Sequence, residues 1–184
     1  MQQIIRTARL TLRPLLTDDA AAFSRMAGRP EVARMTGSFP SPFDSMSVEG
    51  RIQIFLAQEA CGGGYHRAVT RDGALLGVVG GGFVGAGSFD FGYWLGEDHW
   101  GRGYGTESVA AFLDAFARVH PDRTLQATVF TDNPASRRLL ETIGFALQPG
   151  TQPSYSIARR RQDPAWSLTR EAPGLAIPQR TVAS

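Results

Sequence analysis

Hydrophobic and polar positions change their period several times along the chain, and each change marks an element. Residues 7–14 alternate, with Leu10 and Leu12 on one side and Arg9, Thr11 and Arg13 on the other. That is the pattern of a half-buried strand, which Pro14 ends. Thr17, followed by Asp18 and Asp19, is placed to start a helix whose apolar side carries Phe23, Met26 and Ala27. Gly28-Arg29-Pro30 interrupts it, and residues 31–35 suit one more helical turn. Val48, Ile52, Phe55 and Leu56 recur at i, i+4, i+7 and i+8. This spacing predicts a second helix from Ser45 or Ser47 to about Glu59, stopped by Gly62-Gly63-Gly64. Three strands follow, over residues 65–70, 75–83 and 88–95, the first two joined by an Asp72-Gly73 hairpin turn. The third sets Phe89, Phe91, Tyr93 and Leu95 against Asp90, Gly92 and Trp94. Val109, Phe112, Leu113 and Phe116 predict a helix over about 106–119, and residues 124–130 read as a strand. Asn133 caps a short helix with Pro134 in its first turn, running over 135–143 to Gly144. Residues 146–148 and 165–170 are candidate final strands. The order is that of an α+β fold in one domain, residues 1–171. Residues 172–184 contain Pro173 and Pro178, show no period, and read as an extended or disordered tail.

Composition narrows the class without naming a chemistry. The 184 residues, 42% of them hydrophobic, suffice for one domain with a substantial core. A net charge of +2 is too small an excess to argue for nucleic acid, and the one basic run, Arg159-Arg160-Arg161, suits a solvated turn or strand end. The single cysteine, Cys61, excludes an intrachain disulfide framework and suits a reducing compartment. No apolar run resembles a signal peptide or approaches the roughly 20 residues that span a bilayer. The expectation is a cytoplasmic protein. No histidine or cysteine spacing suggests a metal site.

Residues 95–107 stand out between an apolar strand and an amphipathic helix. Gly101, Gly103 and Gly105 alternate with Arg102 and Tyr104 and lead into Thr106-Glu107. A glycine turn that opens a helix exposes unpaired amides at the positive end of the helix dipole, an arrangement suited to phosphate or pyrophosphate. The alternative is a flexible turn. The spacing fits neither the dinucleotide fingerprint, which would need glycine where Ser108 stands, nor the nucleoside-triphosphate loop, which needs Gly-Lys-Ser/Thr. The loop before the second helix carries Phe39 and Phe43. Two placements suit them, lining a pocket or packing into the core.

Four stretches, in order over roughly residues 7–170, carry a family resemblance. They are Arg9-Leu10-Thr11-Leu12-Arg13-Pro14, Asp90-Phe91-Gly92-Tyr93-Trp94-Leu95, Trp100-Gly101-Arg102-Gly103-Tyr104-Gly105-Thr106-Glu107, and Asn133-Pro134-Ala135-Ser136 with Glu141 and Gly144-Phe145. Together they resemble the GNAT N-acetyltransferase superfamily, and within it the RimJ/RimL-like subgroup. The resemblance implies a central, mostly antiparallel sheet of six to seven strands, splayed between the fourth and fifth, with about four flanking helices. It implies acetyl-CoA as co-substrate, no metal, and a primary amine as acceptor, either a protein N-terminus or a small molecule. A homodimer is common in the family, though no stripe in this sequence demands one.

The resemblance also assigns roles. Trp100, Gly101, Arg102, Gly103, Tyr104, Gly105 and Thr106 would hold the coenzyme pyrophosphate. Tyr93, Trp94 and Leu95 would pair with the pantetheine arm, a strand amide near Tyr93 or Trp94 polarising the thioester carbonyl. Asp90 would take the proton of the amine, directly or through water. Asn133 would meet the pantetheine while its backbone capped the helix, and Ser136 would donate a proton or a hydrogen bond to the sulfur. Phe39, Phe43, Asp90 and Trp94 would border the acceptor. The sequence departs from the family pattern twice. Trp100 stands where the loop usually begins with Gln or Arg, and Asp90 is one methylene shorter than the usual Glu. A competing expectation is the same fold kept as an acyl-CoA sensor or interaction module without turnover.

Overall fold

The computed structural model describes residues 1, 3–85 and 87–171, so the tail expected over 172–184 lies outside the described residues. Nine strands form one sheet: β1 (Ile5–Arg6), β2 (Thr11–Arg13), β3 (Gly64–Arg71), β4 (Ala74–Val84), β5 (Ser88–Leu95), β6 (Thr124–Phe130), β7 (Ala146–Leu147), β8 (Gln152–Ser156) and β9 (Arg161–Arg170). Their order is β1-β2-β3-β4-β5-β6-β9-β7, with β8 added to β9. Only β5 and β6 run parallel, and their pairing ends at Asp90↔Gln126 although both strands continue. Past that point the sheet is splayed, between the fourth and fifth of the strands expected from sequence.

The strand count exceeds the expected six to seven for two reasons. Residues 7–10 turn rather than extend, the Thr7 N–H bonding the Leu10 carbonyl at 3.0 Å, so the first strand is a short hairpin of β1 and β2. β8 carries no strand signal in the sequence, because Gln152-Pro153-Ser154-Tyr155-Ser156 has no apolar alternation. Its position comes from pairing with β9 across a turn at residues 157–160. The β3–β4 hairpin turns at Asp72 (φ 50°) and Gly73 (φ 83°), left-handed conformations that the Asp-Gly pair supplies. β4 is rich in glycine because the strands approach closely. A Cβ on Gly81 would lie 2.0 Å from the Asp90 carbonyl oxygen, and one on Gly77 2.1 Å from that of Trp94.

Five helices cover the sheet: α1 (Ala20–Ala27), α2 (Pro30–Ala33), α3 (Ser45–Ala60), α4 (Tyr104–Val119) and α5 (Pro134–Thr142). The fifth, beyond the four that the resemblance implies, is the single turn α2, close to the helical turn the sequence suggested over residues 31–35. Two hydrophobic clusters result. One joins Phe89, Phe91 and Leu95 of β5 to Val109, Phe112, Leu113 and Phe116 of α4 and Leu140 of α5. The other joins Trp94 to Phe23, Phe39, Phe43, Val48 and Ile52 beneath α1 and α3. The alternation along β5 feeds both.

Acids serve both helix starts. Thr17 opens the first helical turn, Thr17–Asp19, but does not cap it; the N-cap position is Leu16, and Asp19 closes the turn. The Asp19 Oδ2 accepts the Leu16 N–H at 2.8 Å, and both carboxylate oxygens pair with Arg13. α3 starts at Ser45, one of the two starts expected, and Asp44 caps it, accepting the Ser47 N–H at 2.9 Å.

Candidate active site

α4 begins two residues earlier than its apolar period, at Tyr104, because Gly103 adopts φ 77° and serves as its N-cap. Gly101 is also left-handed, at φ 69°. No backbone hydrogen bond from the amides of residues 101–106 is found among the described residues, whereas the next amide, Glu107, bonds the Gly103 carbonyl at 3.1 Å. The space a Cβ would take at Gly101 is open. Free amides, an open approach and the positive end of a 16-residue helix make this turn fit a pyrophosphate.

The turn is braced from the N-terminal hairpin, a role not foreseen in the sequence. Arg9 donates from Nε to Glu107 Oε2 at 2.7 Å and from a terminal nitrogen to the Arg102 carbonyl at 3.0 Å, while its guanidinium lies 4.8 Å from the centre of the Tyr104 ring. Thr7 Oγ1 donates to Glu107 Oε1 at 2.5 Å, and these donors hold the Glu107 carboxyl below its ordinary range against the opposing effect of burial. Arg71 donates to the Tyr104 hydroxyl. The signal that could have found this brace is Arg9 in the opening motif, but its partner is about a hundred residues away.

The structure also accounts for Trp100, the first of the two departures from the family pattern. Its indole N–H donates to the Leu95 carbonyl at 2.8 Å, tying the turn to the end of β5. A residue that could not supply the usual polar side chain supplies a donor by another route.

Beyond Asp90, one edge of β5 faces the gap left by β6. The carbonyls of Asp90 and Trp94 point at β4, as the close approaches at Gly81 and Gly77 show. Alternate residues point the other way, so the amides of Tyr93 and Leu95 face the gap and that of Trp94 does not. Of the two residues considered for the oxyanion amide, only Tyr93 turns its amide to the gap. The Tyr93 side chain also spans the gap. Its hydroxyl donates to Ser136 Oγ at 3.1 Å, and burial pushes its pKa up to about 12, so it stays protonated. Ser136 in turn donates its backbone N–H to Asn133 Oδ1 at 3.1 Å. Asn133 thus caps α5 with its side chain as well as its backbone carbonyl, which accepts the Arg137 N–H at 3.3 Å, leaving the amide nitrogen of that side chain as the group that could meet a ligand.

Asp90 leaves β5 on the opposite face. It is exposed, has no hydrogen bond or ion pair among the described residues, and partial desolvation raises its carboxyl above the usual range. Beside it, the space above Gly92 is open. The register aligns Gly92 with Gly80 and His66, so His66 shares this face, which its sequence context left unassigned. Trp94 lies one step further along β5 on the same face but is buried. Its ring sits 4.6 Å from that of Phe23 and 5.8 Å from that of Phe39. Phe39 and Phe43 are 5% and 4% exposed and 5.4 Å apart, centre to centre. Of their two placements the structure takes the core, so these rings back the Asp90 face rather than open onto it.

The basic run also divides. Arg159 is nearly buried, pairing with Asp132 at 2.8 Å and Asp163 at 2.9 Å and donating to the Arg34 carbonyl at 2.7 Å. It anchors the turn before α5, while Arg160 and Arg161 flank it at the strand end as expected.

A turn with free amides beside a splayed parallel pair suits an acyltransferase class of fold. The sequence profile of the acetyltransferase (GNAT) domain matches residues 9–146. The chain belongs to the GNAT acetyltransferase family and is an acetyltransferase. It is 33% identical over 156 residues to the uncharacterized N-acetyltransferase YoaA of Bacillus subtilis (strain 168), covering 79% of this chain and 84% of that protein. It is 28% identical over 165 residues to the uncharacterized N-acetyltransferase p20 of Bacillus licheniformis, covering 86% and 90%. Among solved structures, RimL, a ribosomal L7/L12 alpha-N-protein acetyltransferase in complex with coenzyme A, superposes with a TM-score of 0.80 at 18% identity. The alignment covers 91% of this chain and 97% of RimL, a likeness of fold. Among the described residues no group of side chains could hold a metal ion, and no helix is long and apolar enough to cross a membrane.

Proposed function

We propose that this acetyltransferase moves an acetyl group from acetyl-CoA to a primary amine by direct attack within a ternary complex. The observation that carries the proposal is the open edge of β5, with the free amides of residues 101–106 at one end and Asp90 beside the empty space over Gly92. When bound, the coenzyme supplies the activated thioester. Residues 101–106 hold its pyrophosphate, and the Tyr93 and Leu95 amides pair along its arm, the former placed to stabilise the oxyanion. One such donor is typically worth ~10²–10³ in rate. Asp90 accepts a proton from the ammonium form of the acceptor, directly or through water, since an alkyl amine is mostly protonated at neutral pH. Its raised pKa makes it a stronger base than an ordinary carboxylate. Ser136, itself receiving the Tyr93 hydrogen, is placed to bond the departing sulfur. RimL acts on a protein N-terminus, which supports a peptide amine as one acceptor.

The test is release of free thiol from acetyl-CoA in the presence of mixed amines. Amine-dependent release supports the proposal. Tight coenzyme binding with no release from any amine would sink it and leave an acyl-CoA-binding module.

A further inference from the structure

The Asp90 face has a second wall whose polar groups lack protein partners. Along α3, Arg51, Phe55 and Gln58 fall at i, i+4 and i+7, on one flank of the helix. Phe55 stacks on His66 of β3, ring centres 3.8 Å apart and planes 12° from parallel. The His66 ring adjoins Gly80, and Gly80 pairs with Gly92, so the flank looks across a glycine floor toward Asp90. Three buried atoms on this wall have no hydrogen-bond partner: Arg51 Nε, Gln58 Oε1 and His66 Nδ1. Buried polar atoms are nearly always paired, so three on one wall are unusual.

Charge sharpens the picture. Arg51 donates to the Ser38 carbonyl at 3.0 Å and the Ser38 hydroxyl at 3.3 Å, and lies over the rings of Phe39 and Phe43, 5.3 and 5.5 Å from their centres. It meets no carboxylate among the described residues. The nearest acid on its own helix flank, Glu59, is engaged by Arg67 at 2.6 Å. Burial lowers the Arg51 pKa and pushes that of His66 down to about 4, so near neutral pH His66 is uncharged. The floor is thus bordered by an unneutralised guanidinium at one side and an unpaired carboxylate at the other. An amine with a second positive charge would meet Arg51 as a like charge. One with a negative group would neutralise it.

We propose that this wall selects an acceptor amine that also carries an anionic group, carboxylate or phosphate, with Arg51 holding the anion while the amine faces Asp90. Gln58 and His66 supply further polar contacts to the same ligand. The inference rests on the acyl-transfer reading and names its substrate class.

The test compares matched acceptors at fixed ionic strength: an amino acid, its carboxamide, an aminoalkyl phosphate and a polyamine. Wild-type protein should favour the anionic acceptors over the carboxamide by tenfold or more in kcat/KM, with the polyamine poorest. The better of carboxylate and phosphate identifies the anion. Arg51→Gln should collapse the anionic-to-neutral ratio toward one, and Arg51→Lys should retain most of it. A wild-type ratio near one would overturn the proposal, as would an Arg51→Gln variant that loses the same factor on every acceptor, the mark of a mere brace for the Ser38 loop. Calorimetric binding of an N-acetyl amino acid and its carboxamide, with coenzyme A present, separates this inference from the reading beneath it. No thiol release from any amine defeats the acyl-transfer reading. Selective binding of the anionic compound, lost in Arg51→Gln, would then still establish the anion site, and equal or absent binding would overturn it.

Discussion

The face of the sheet under α4 and α5 and the face under α1 and α3 meet at β5, yet they treat their polar groups in opposite ways. On the α4 side, the polar side chains are tied down within the protein: Glu107 by Thr7 and Arg9, Trp100 by the Leu95 carbonyl, Tyr93 by Ser136, and the Ser136 amide by Asn133. What stays free is backbone, the amides of residues 101–106 and of the open edge of β5. On the α3 side, what stays free among the described residues is in side chains: the exposed Asp90 carboxylate, Arg51 Nε, Gln58 Oε1 and His66 Nδ1. On the proposed reading, the difference separates coenzyme binding from the choice of acceptor. Backbone amides offer one fixed geometry suited to a constant partner such as a coenzyme. Free side chains can be exchanged one at a time, which suits a wall that must discriminate between acceptors.

That contrast can be broken or sharpened by mutation. The largest effect is expected on the backbone side. Gly105→Asp places a Cβ 2.9 Å from Leu139 Cδ1 and adds an anion where the phosphates belong, and Gly103→Pro cannot adopt φ 77°. Either should weaken acetyl-CoA binding by at least about 100-fold, ~2.7 kcal/mol, as read by calorimetry. Next, Asp90→Asn should leave the coenzyme Kd within a factor of about two and lower kcat by ~10²–10⁴. In the wild type, activity should fall as pH drops through the Asp90 pKa, which lies above the ordinary carboxylate range, because the protonated acid accepts nothing. Asp90→Asn should lack that limb. Normal turnover of Asp90→Asn at neutral pH would show that another group is the base.

Smaller effects follow from single side-chain bonds. Tyr93→Phe should reduce kcat by roughly threefold to tenfold, the scale of one neutral hydrogen bond, with the acceptor KM steady. Arg9→Gln should raise the KM for acetyl-CoA by about threefold to fivefold, since its pair with Glu107 is partly solvated, and the difference should shrink in high salt. The smallest signal is in stability. The unfolded His66 takes up a proton below about 6.5 and the folded one only near 4. Stability should therefore decline as pH falls through that window, and the decline should be less steep in His66→Gln, read by denaturant unfolding against pH.

Much of the coenzyme side was legible in the sequence, because its determinants are local. Left-handed glycines, a helix that opens on them, an Asn-Pro cap and the alternation of β5 all depend on residues within a few positions of one another. The acceptor side was legible only in its elements. α3 was readable from its apolar period, but which partner Arg51 meets depends on Ser38 and Phe39, and the face of His66 depends on pairing across two strands. The fate of Phe39 and Phe43 was open for the same reason. A loop aromatic has no period, and its burial is decided by whether Phe23 and Trp94 arrive beside it.

By itself, then, the sequence determined the order of elements, the glycine turn that opens α4, the polar residues of β5 and the family to which the chain belongs. These rest on backbone conformation and short-range spacing, which the local residues impose. Only the tertiary structure decided that the first strand breaks into a hairpin whose Arg9 braces the turn, that Tyr93 rather than Trp94 offers its amide to the gap, that Arg159 is nearly buried, and that Arg51 meets no carboxylate among the described residues. Each of these depends on which distant groups share a space, because burial and hydrogen bonding act through distance in the fold and not along the chain.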